Sequence, residues 1–204
     1  GVTRGDRVAG FLPNIPEAII AMLAAASIGA IWSSSSPDFG IKSVTDRFSQ
    51  IQPKIIFSAS AYLYNGKSFS SIDKLQEIIK QLPTIEKVII VDYLDTQPDY
   101  SKITNSVDYN SLISDEPDPI DFEQVPFDHP LYVLYTSGTT GLPKSIVHGT
   151  GGTLVQHKKE FLLHCDVYRE DVVFYYTTCG WMMWNWLVSI LSTGATIILY
   201  DGSP

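Results

Sequence analysis

Cysteine is scarce in this sequence: Cys165 and Cys179 are the only two among 204 residues. They form neither a metal-ligand spacing nor a disulfide framework, and a reducing cytosol is their simplest setting. As side chains they read as two small buried apolar groups. Positive charge is also short, with 14 Lys and Arg against 22 Asp and Glu, a net charge of −8 and a pI of about 4.8. Nucleic acid and anionic membranes both need a basic face, so neither is expected as a main partner. Any phosphate ligand must be held by local groups instead. The longest apolar run, AIIAMLAAASIGAIW from Ala18 to Trp32, is broken by Ser27 and Gly29. It falls short of the roughly 18–20 residues of a membrane span. No signal peptide and no convincing internal repeat is visible. The chain opens GVTRGDRVAG without an initiator Met and stops at LYDGSP after a strand-like run, the pattern expected of a piece of a longer protein. No Ser-His-Asp or Cys-His arrangement stands out. His129, His157 and His164 make no pattern, and His148 reads as the structural end of a strand.

What is present is an ordinary globular composition, 45% hydrophobic with 12 prolines and 14 glycines. Strand and helix signals alternate. RVAGFL (7–12) reads as a strand. Asn14 is placed to cap a helix with Pro16 and Glu17 in its first turn, and Gly29 to end it. That helix is apolar nearly all round and is expected to be buried. Strands follow at 30–36, 54–60 and 87–92, with helices at 41–52 and 70–82 between them. In the second half, 172–177 and 196–201 read as strands, 151–165 and 182–192 as helices.

This alternation predicts an α/β fold of layered βαβ units with mainly parallel sheets. The rhythm breaks at about 92–128, where ten acids, one base (Lys102) and four prolines gather. That stretch is expected to be a solvated surface connection. It divides a first α/β subdomain (1–128) from the start of a second (129–204).

The most informative segment is TSGTTGLPK, Thr136 to Lys144, set between the strand-like LYVLYTS and KSIVH. A Walker A loop would place a second glycine where Pro143 stands and would lead into a helix. The G-x-G-x-x-G dinucleotide pattern is missing too. The loop should therefore join two strands and hold phosphate by another geometry. Gly138 and Gly141 permit close backbone approach, so that successive N–H groups form an anion nest. Thr136, Ser137, Thr139 and Thr140 add hydroxyl donors, Lys144 a flexible cation, and Pro143 a stiff base. A second cluster, Trp181-Met182-Met183-Trp184-Asn185-Trp186, holds three of the four tryptophans and two of the three methionines. On composition alone it reads equally as a core helix face.

TSGTTGLPK resembles the phosphate-loop signature of the adenylate-forming superfamily, which includes acyl-CoA synthetases, luciferases and peptide-synthetase adenylation domains. GDRVAGFLPNIPEAIIAMLAAASIGAIWSSSSPDFG (5–40), GWMMWNW (180–186) and LYDGSP (199–204) are similar to other stretches of the same superfamily, so the likeness spans the chain. SSSSPDFG, RFSQIQPKIIF and GWMMWN are most similar to its acetoacetate-activating branch.

The resemblance implies a two-step ligase that activates a small acid, acetoacetate foremost, as an acyl-adenylate and transfers it to coenzyme A. The alternatives are a ligase for another short acid such as acetate, or a nucleotide-binding or regulatory module that keeps the loop without the chemistry. It further implies that Thr136, Ser137, Gly138, Thr139, Thr140, Gly141 and Lys144 hold the ATP phosphates, with Mg²⁺ nearby. Trp181, Met182, Met183 and Trp184 are implied to line the acyl pocket. Lys67, in the polar turn YNGKS, is implied to lie near a coenzyme A phosphate, although from the residues themselves it reads first as a solvated surface lysine. The superfamily's glutamate ligand for Mg²⁺, its ribose-binding aspartate and its catalytic lysine have no counterpart here. The chain is accordingly expected to be part of a large N-terminal domain, inactive by itself, whose partners are small molecules and the remainder of the same enzyme. An exposed sheet edge would also favour self-association.

Overall fold

A computed structural model describes residues 1–95, 97–113, 119–136 and 141–202. Its centre is a seven-stranded sheet built around RVAGF, which forms β1 (Arg7–Phe11) and is buried along nearly its whole length. A strand covered on both faces needs apolar residues at successive positions, and this one has them. β2 (Ile31–Ser35) lies parallel on one side of β1, pairing Val8 with Trp32, and β3 (Ile55–Ala59) lies parallel on the other, pairing Val8 with Ile55. β6 (Lys87–Val91) and the short β7 (Ser106–Asp108) extend the sheet beyond β3. β8 (Pro130–Tyr135) adds parallel to β2, and β9 (Ser145–Gly149) closes that edge antiparallel to β8. The order is β7-β6-β3-β1-β2-β8-β9. The α/β class with a mainly parallel sheet is therefore as expected. β8 and β9 continue the sheet begun by the first half.

α1 (Pro16–Ser27) covers one face of the sheet, in a core with Val8, Leu12, Met22, Trp32, Tyr132 and Trp184. α2 (Ile41–Ile51) and α3 (Ile72–Lys80) cover the other. Their apolar stripes, Val44, Phe48 and Ile51 on α2 and Leu75 and Ile78 on α3, meet Ala9, Phe11 and Ile90 from the strands. Gly10 is required by packing: a Cβ there would stand 2.5 Å from Trp32 Cζ2, so only glycine admits the indole. Between β3 and α3 the chain makes an antiparallel hairpin of β4 (Ala61–Tyr64) and β5 (Lys67–Ser70), turned at Asn65-Gly66. In the second half, α4 (Thr150–Leu163) and α5 (Met182–Ser189) join through Phe161, Leu187 and Ile190. Beside them lies a two-stranded parallel sheet of β10 (Val172–Phe174) and β11 (Thr196–Ile198).

Four local expectations change. Gly29 ends α1 with φ +68 as expected, but the residue before the helix is Ile15, and no side chain caps it. Asn14 is instead buried and turned toward Trp184. α1 is not buried all round, because it meets the sheet with one face only: Ile20 is 52% and Leu23 48% exposed. The acidic connection is not wholly loop, since β7 and a 3₁₀ turn (Tyr109–Leu112) dock against β6. Of the two thiols only Cys179 is buried; Cys165 is exposed near the end of α4. Among the described residues no helix is long and apolar enough to cross a membrane.

Candidate functional site

Tyr135 pairs with Ser145 in the β8–β9 ladder, so the segment 136–144 closes a hairpin at the carboxyl end of a strand of the main sheet. The loop does join two strands, as its sequence requires. Its base is pinched shut: Thr136 N–H donates to the Lys144 carbonyl at 3.0 Å, and Lys144 N–H donates to Thr136 Oγ1 at 3.2 Å. A clamp comes from α2, where Gln50 Nε2 donates to the Pro143 carbonyl at 2.8 Å. The Arg47 guanidinium lies over the rings of Phe39 (5.2 Å) and Tyr135 (5.9 Å). Burial pushes the Tyr135 phenol up to about 12, against the opposing pull of Ser33 and Arg47. Lys144 and Gly141 are exposed. Ser137, Gly138, Thr139 and Thr140 lie outside the described residues.

The aromatic cluster is sorted by the period of α5. Trp181, at the helix cap, is 60% exposed, Met182 is exposed and Met183 half-buried. Met183 belongs to two cavities. One, about 640 Å³, lies between β9, α4 and α5 and is also lined by His148, Gln156, His157, Glu160 and Trp186. The other, about 340 Å³, is walled by Tyr175, Tyr176, Thr177, Thr178 and Trp181. Met182 lines the first of these. Trp184 lines neither. It is fully buried, stacked on Trp32 with ring centroids 6.5 Å apart, and its Nε1 donates to Asn14 Oδ1 at 2.9 Å.

The segment is tied to the sheet at two further points. Ser34 Oγ donates to the Cys179 carbonyl at 2.7 Å, and Cys179 Sγ donates to the Pro13 carbonyl at 3.2 Å. The strand ends of the first half thus fix where Trp181, Met182 and Met183 stand. Burial raises the Cys179 thiol well above its ordinary range, which keeps it a neutral donor.

Lys67 is exposed on the β4–β5 hairpin, opposite Tyr64. The hairpin is near the aromatic segment, since Tyr62 and Tyr64 share a small cleft with Asp38, Tyr176, Trp181 and Asp201. Asp201 Oδ2 accepts the Leu63 N–H at 3.0 Å, and burial raises its carboxyl above the ordinary value. Around the larger cavity burial lowers both His148 and His157, with Glu160 pulling His157 back upward. Among the described residues no group of three or more His, Cys, Asp or Glu could hold a metal ion.

Sequence reasoning missed Asn14, Ser34 and Gln50 as supports of this site. The polar turn of Asn14 was a signal for a cap, and Gln50 had none, because its contact spans 93 residues.

The whole chain, residues 1–204, matches the model of the AMP-binding enzyme family. It is 56% identical over 210 residues to acetoacetyl-CoA synthetase of Macaca fascicularis, covering 100% of this chain and 31% of that protein. It is 47% identical over 206 residues to malonamoyl-CoA synthetase of Penicillium aethiopicum, covering 98% of this chain and 28% of that protein. Its fold superposes on acetoacetyl-CoA synthetase from Streptomyces lividans with a TM-score of 0.93 at 52% identity, covering 100% of this chain and 31% of that one. The chain spans about a third of the length of the relatives it matches.

Proposed function

The chain belongs to the AMP-binding enzyme family, and from that premise we propose that it supplies the phosphate loop and acyl pocket of an ATP-dependent acid–coenzyme A ligase. In the first step a carboxylate oxygen of the acid attacks the α-phosphorus of ATP. The bond to the bridging oxygen breaks and pyrophosphate leaves with that electron pair. In the second step the coenzyme A thiolate attacks the acyl carbon and AMP departs, leaving the thioester. Substitution at phosphorus asks for positioning and charge neutralisation more than for covalent help from the protein. The hairpin loop whose base is pinned by Thr136 and Lys144 is the observation that carries this reading.

In this account Thr136, Ser137, Gly138, Thr139, Thr140, Gly141 and Lys144 hold the β- and γ-phosphates. Lys144 neutralises charge on the departing pyrophosphate. Mg²⁺ would arrive with ATP and screen the same charge; the described residues do not themselves form a site for it. Lys67 would serve the 3′-phosphate of coenzyme A. Met182 and Met183 would bound a small acyl group in the cavity between β9, α4 and α5, with Trp181 beside Met183 in the neighbouring cavity, while Trp184 supports them from the core.

The substrate we propose is a short acid with a carbonyl on its third carbon, acetoacetate foremost. The acids named in the two kinds of relative, acetoacetate and malonamate, share that carbonyl and differ only by CH₃ against NH₂ at its far side. Residues 1–128 and 129–204 would be successive parts of one large domain. A reducing cytoplasm suits two free thiols, one of them exposed.

The test follows acid-dependent exchange of pyrophosphate into ATP, using the protein at its natural length with acetoacetate, acetate, propionate and butyrate in parallel. Exchange strongest with acetoacetate and weakened by Lys144→Ala supports both substrate and loop. Exchange strongest with another acid keeps the ligase and discards acetoacetate. ATP binding without exchange leaves a nucleotide-binding module.

A further inference from the structure

We propose that His148 is the hydrogen-bond donor that reads the carbonyl oxygen on the third carbon of the acid, and so sets specificity in the cavity between β9, α4 and α5. The inference rests on the short-acid reading above. Within that cavity the carboxylate and the second imidazole are already committed. Glu160 accepts Gln156 Nε2 on Oε1 at 2.8 Å and Trp186 Nε1 on Oε2 at 3.1 Å. His157 Nδ1 lies 2.9 Å from Ser189 Oγ, and that hydroxyl donates its one proton to the Asn185 carbonyl at 2.9 Å. Nδ1 of His157 must therefore carry the hydrogen, which leaves Nε2 a bare acceptor. A bare acceptor and a carboxylate both repel a carbonyl oxygen.

His148 differs from both. Among the described residues neither of its ring nitrogens has a hydrogen-bond partner. Its ring is nonetheless oriented by packing, with its centroid 5.1 Å from that of Tyr132 at 36°. Tyr132 is itself buried in the core, so the platform under the imidazole is rigid. A neutral imidazole carries one N–H and one acceptor in either tautomer. Half-burial favours that neutral form. The cavity is thus lined by an imidazole with an uncommitted N–H together with Met182 and Met183, whose apolar side chains suit the methyl end of the acid.

This arrangement has a chemical consequence. One methylene more or less in an apolar pocket changes binding only modestly, whereas a site built around a polar group of its substrate rejects the analogue that lacks it. Acetoacetate and butyrate have the same carbon chain and differ at the third carbon, C=O against CH₂. With butyrate bound, the His148 N–H would be buried without a partner.

The decisive comparison is kcat/KM for acetoacetate and butyrate in pyrophosphate exchange by the protein at its natural length, for His148 and for His148→Phe. Phe keeps the ring against Tyr132 and removes the donor. The preference for acetoacetate over butyrate is expected to fall by about tenfold or more, with KM for ATP unmoved, and His148→Gln, which restores an N–H, should recover part of it. Equal losses on both acids would make His148 a structural residue and overturn the assignment. A wild-type protein that uses both acids equally well would instead overturn the substrate reading on which it rests. A check that needs no folded variant is the ¹⁵N–¹H resonance of His148, which should move with acetoacetate and not with butyrate. No shift with bound acetoacetate overturns the proposal equally.

Discussion

Trp184 donates its indole N–H to the Asn14 side chain across 2.9 Å, in a place where both residues are buried and the sequence separates them by 170 positions. One end of this bond is in the turn after the central strand, the other on the first turns of α5. It therefore ties α5 and the aromatic segment to the sheet. Asn14→Leu leaves the indole N–H buried without a partner, which costs about 1–3 kcal/mol. A lower midpoint in denaturant, together with a raised KM for the acid and an unchanged KM for ATP, is the expected result. An unchanged midpoint would mean that water satisfies the indole.

Gly10 and Trp32 form a steric pair. A methyl at residue 10 would overlap the indole at 2.5 Å from Cζ2, and the bulky ring has nowhere to move inside a packed core. Gly10→Ala should destabilise by about 1–3 kcal/mol, the usual range for overpacking. Adding Trp32→Phe should return part of that loss, because the smaller ring vacates the contact. A double variant no more stable than Gly10→Ala would place the strain elsewhere.

Gln50 holds the rear of the loop 136–144 through the Pro143 carbonyl. Gln50→Ala removes two exposed hydrogen bonds, to the Asp46 and Pro143 carbonyls, each worth at most about 0.5–1.5 kcal/mol, and only the second reaches the loop. Isothermal titration with ATP should show weaker binding by roughly a factor of ten or less, while unfolding changes little. Lys144→Ala should weaken ATP more than Gln50→Ala does, since it removes a charge.

The pH dependence of stability follows from the histidines. Burial lowers His157 in the folded state below its ordinary 6.5, and His148 likewise. Just below pH 6.5 the unfolded chain binds more protons than the folded one, so stability falls as pH drops through that window. Asp201 is raised by burial and has the opposite slope, in the range above its ordinary 3.8. His157→Gln should flatten the decline of unfolding free energy immediately below pH 6.5. An unchanged slope would show that His157 titrates normally.

The positions of strands and helices were legible because they depend on local periodicity and punctuation. Val44, Phe48 and Ile51 at helical spacing mark α2, and Pro53 limits it. Gly29 stops α1 because it alone tolerates φ +68 without strain. The loop 136–144 was legible as a connection between two strands for the same reason, since polar and glycine residues there interrupt two apolar runs. The strand-like runs 172–177 and 196–201 were overread: pairing stops at Phe174 and Ile198, where backbone partners end although the apolar residues continue. Asn14 was misread as a helix cap because a short polar side chain before Pro16 favours that role locally. The need of a distant buried indole for an acceptor was stronger.

By itself the sequence determined an α/β chain with a Gly- and Thr-rich loop between two strands and an aromatic segment after it, since hydrophobic spacing and residue chemistry are local properties. Only the tertiary structure decided which of those aromatics faces a cavity. Trp184 turned into the core and Met183 toward open space because α5 rotates 100° per residue and one side of it must meet Trp32 and Asn14. Nor could it be read locally that Gln50 grips Pro143, or that among the described residues the His148 ring nitrogens stay unpaired in the cavity that Met183 also lines. Such facts depend on surfaces brought together over 93 or 170 residues of chain, where no periodicity connects one partner to the other.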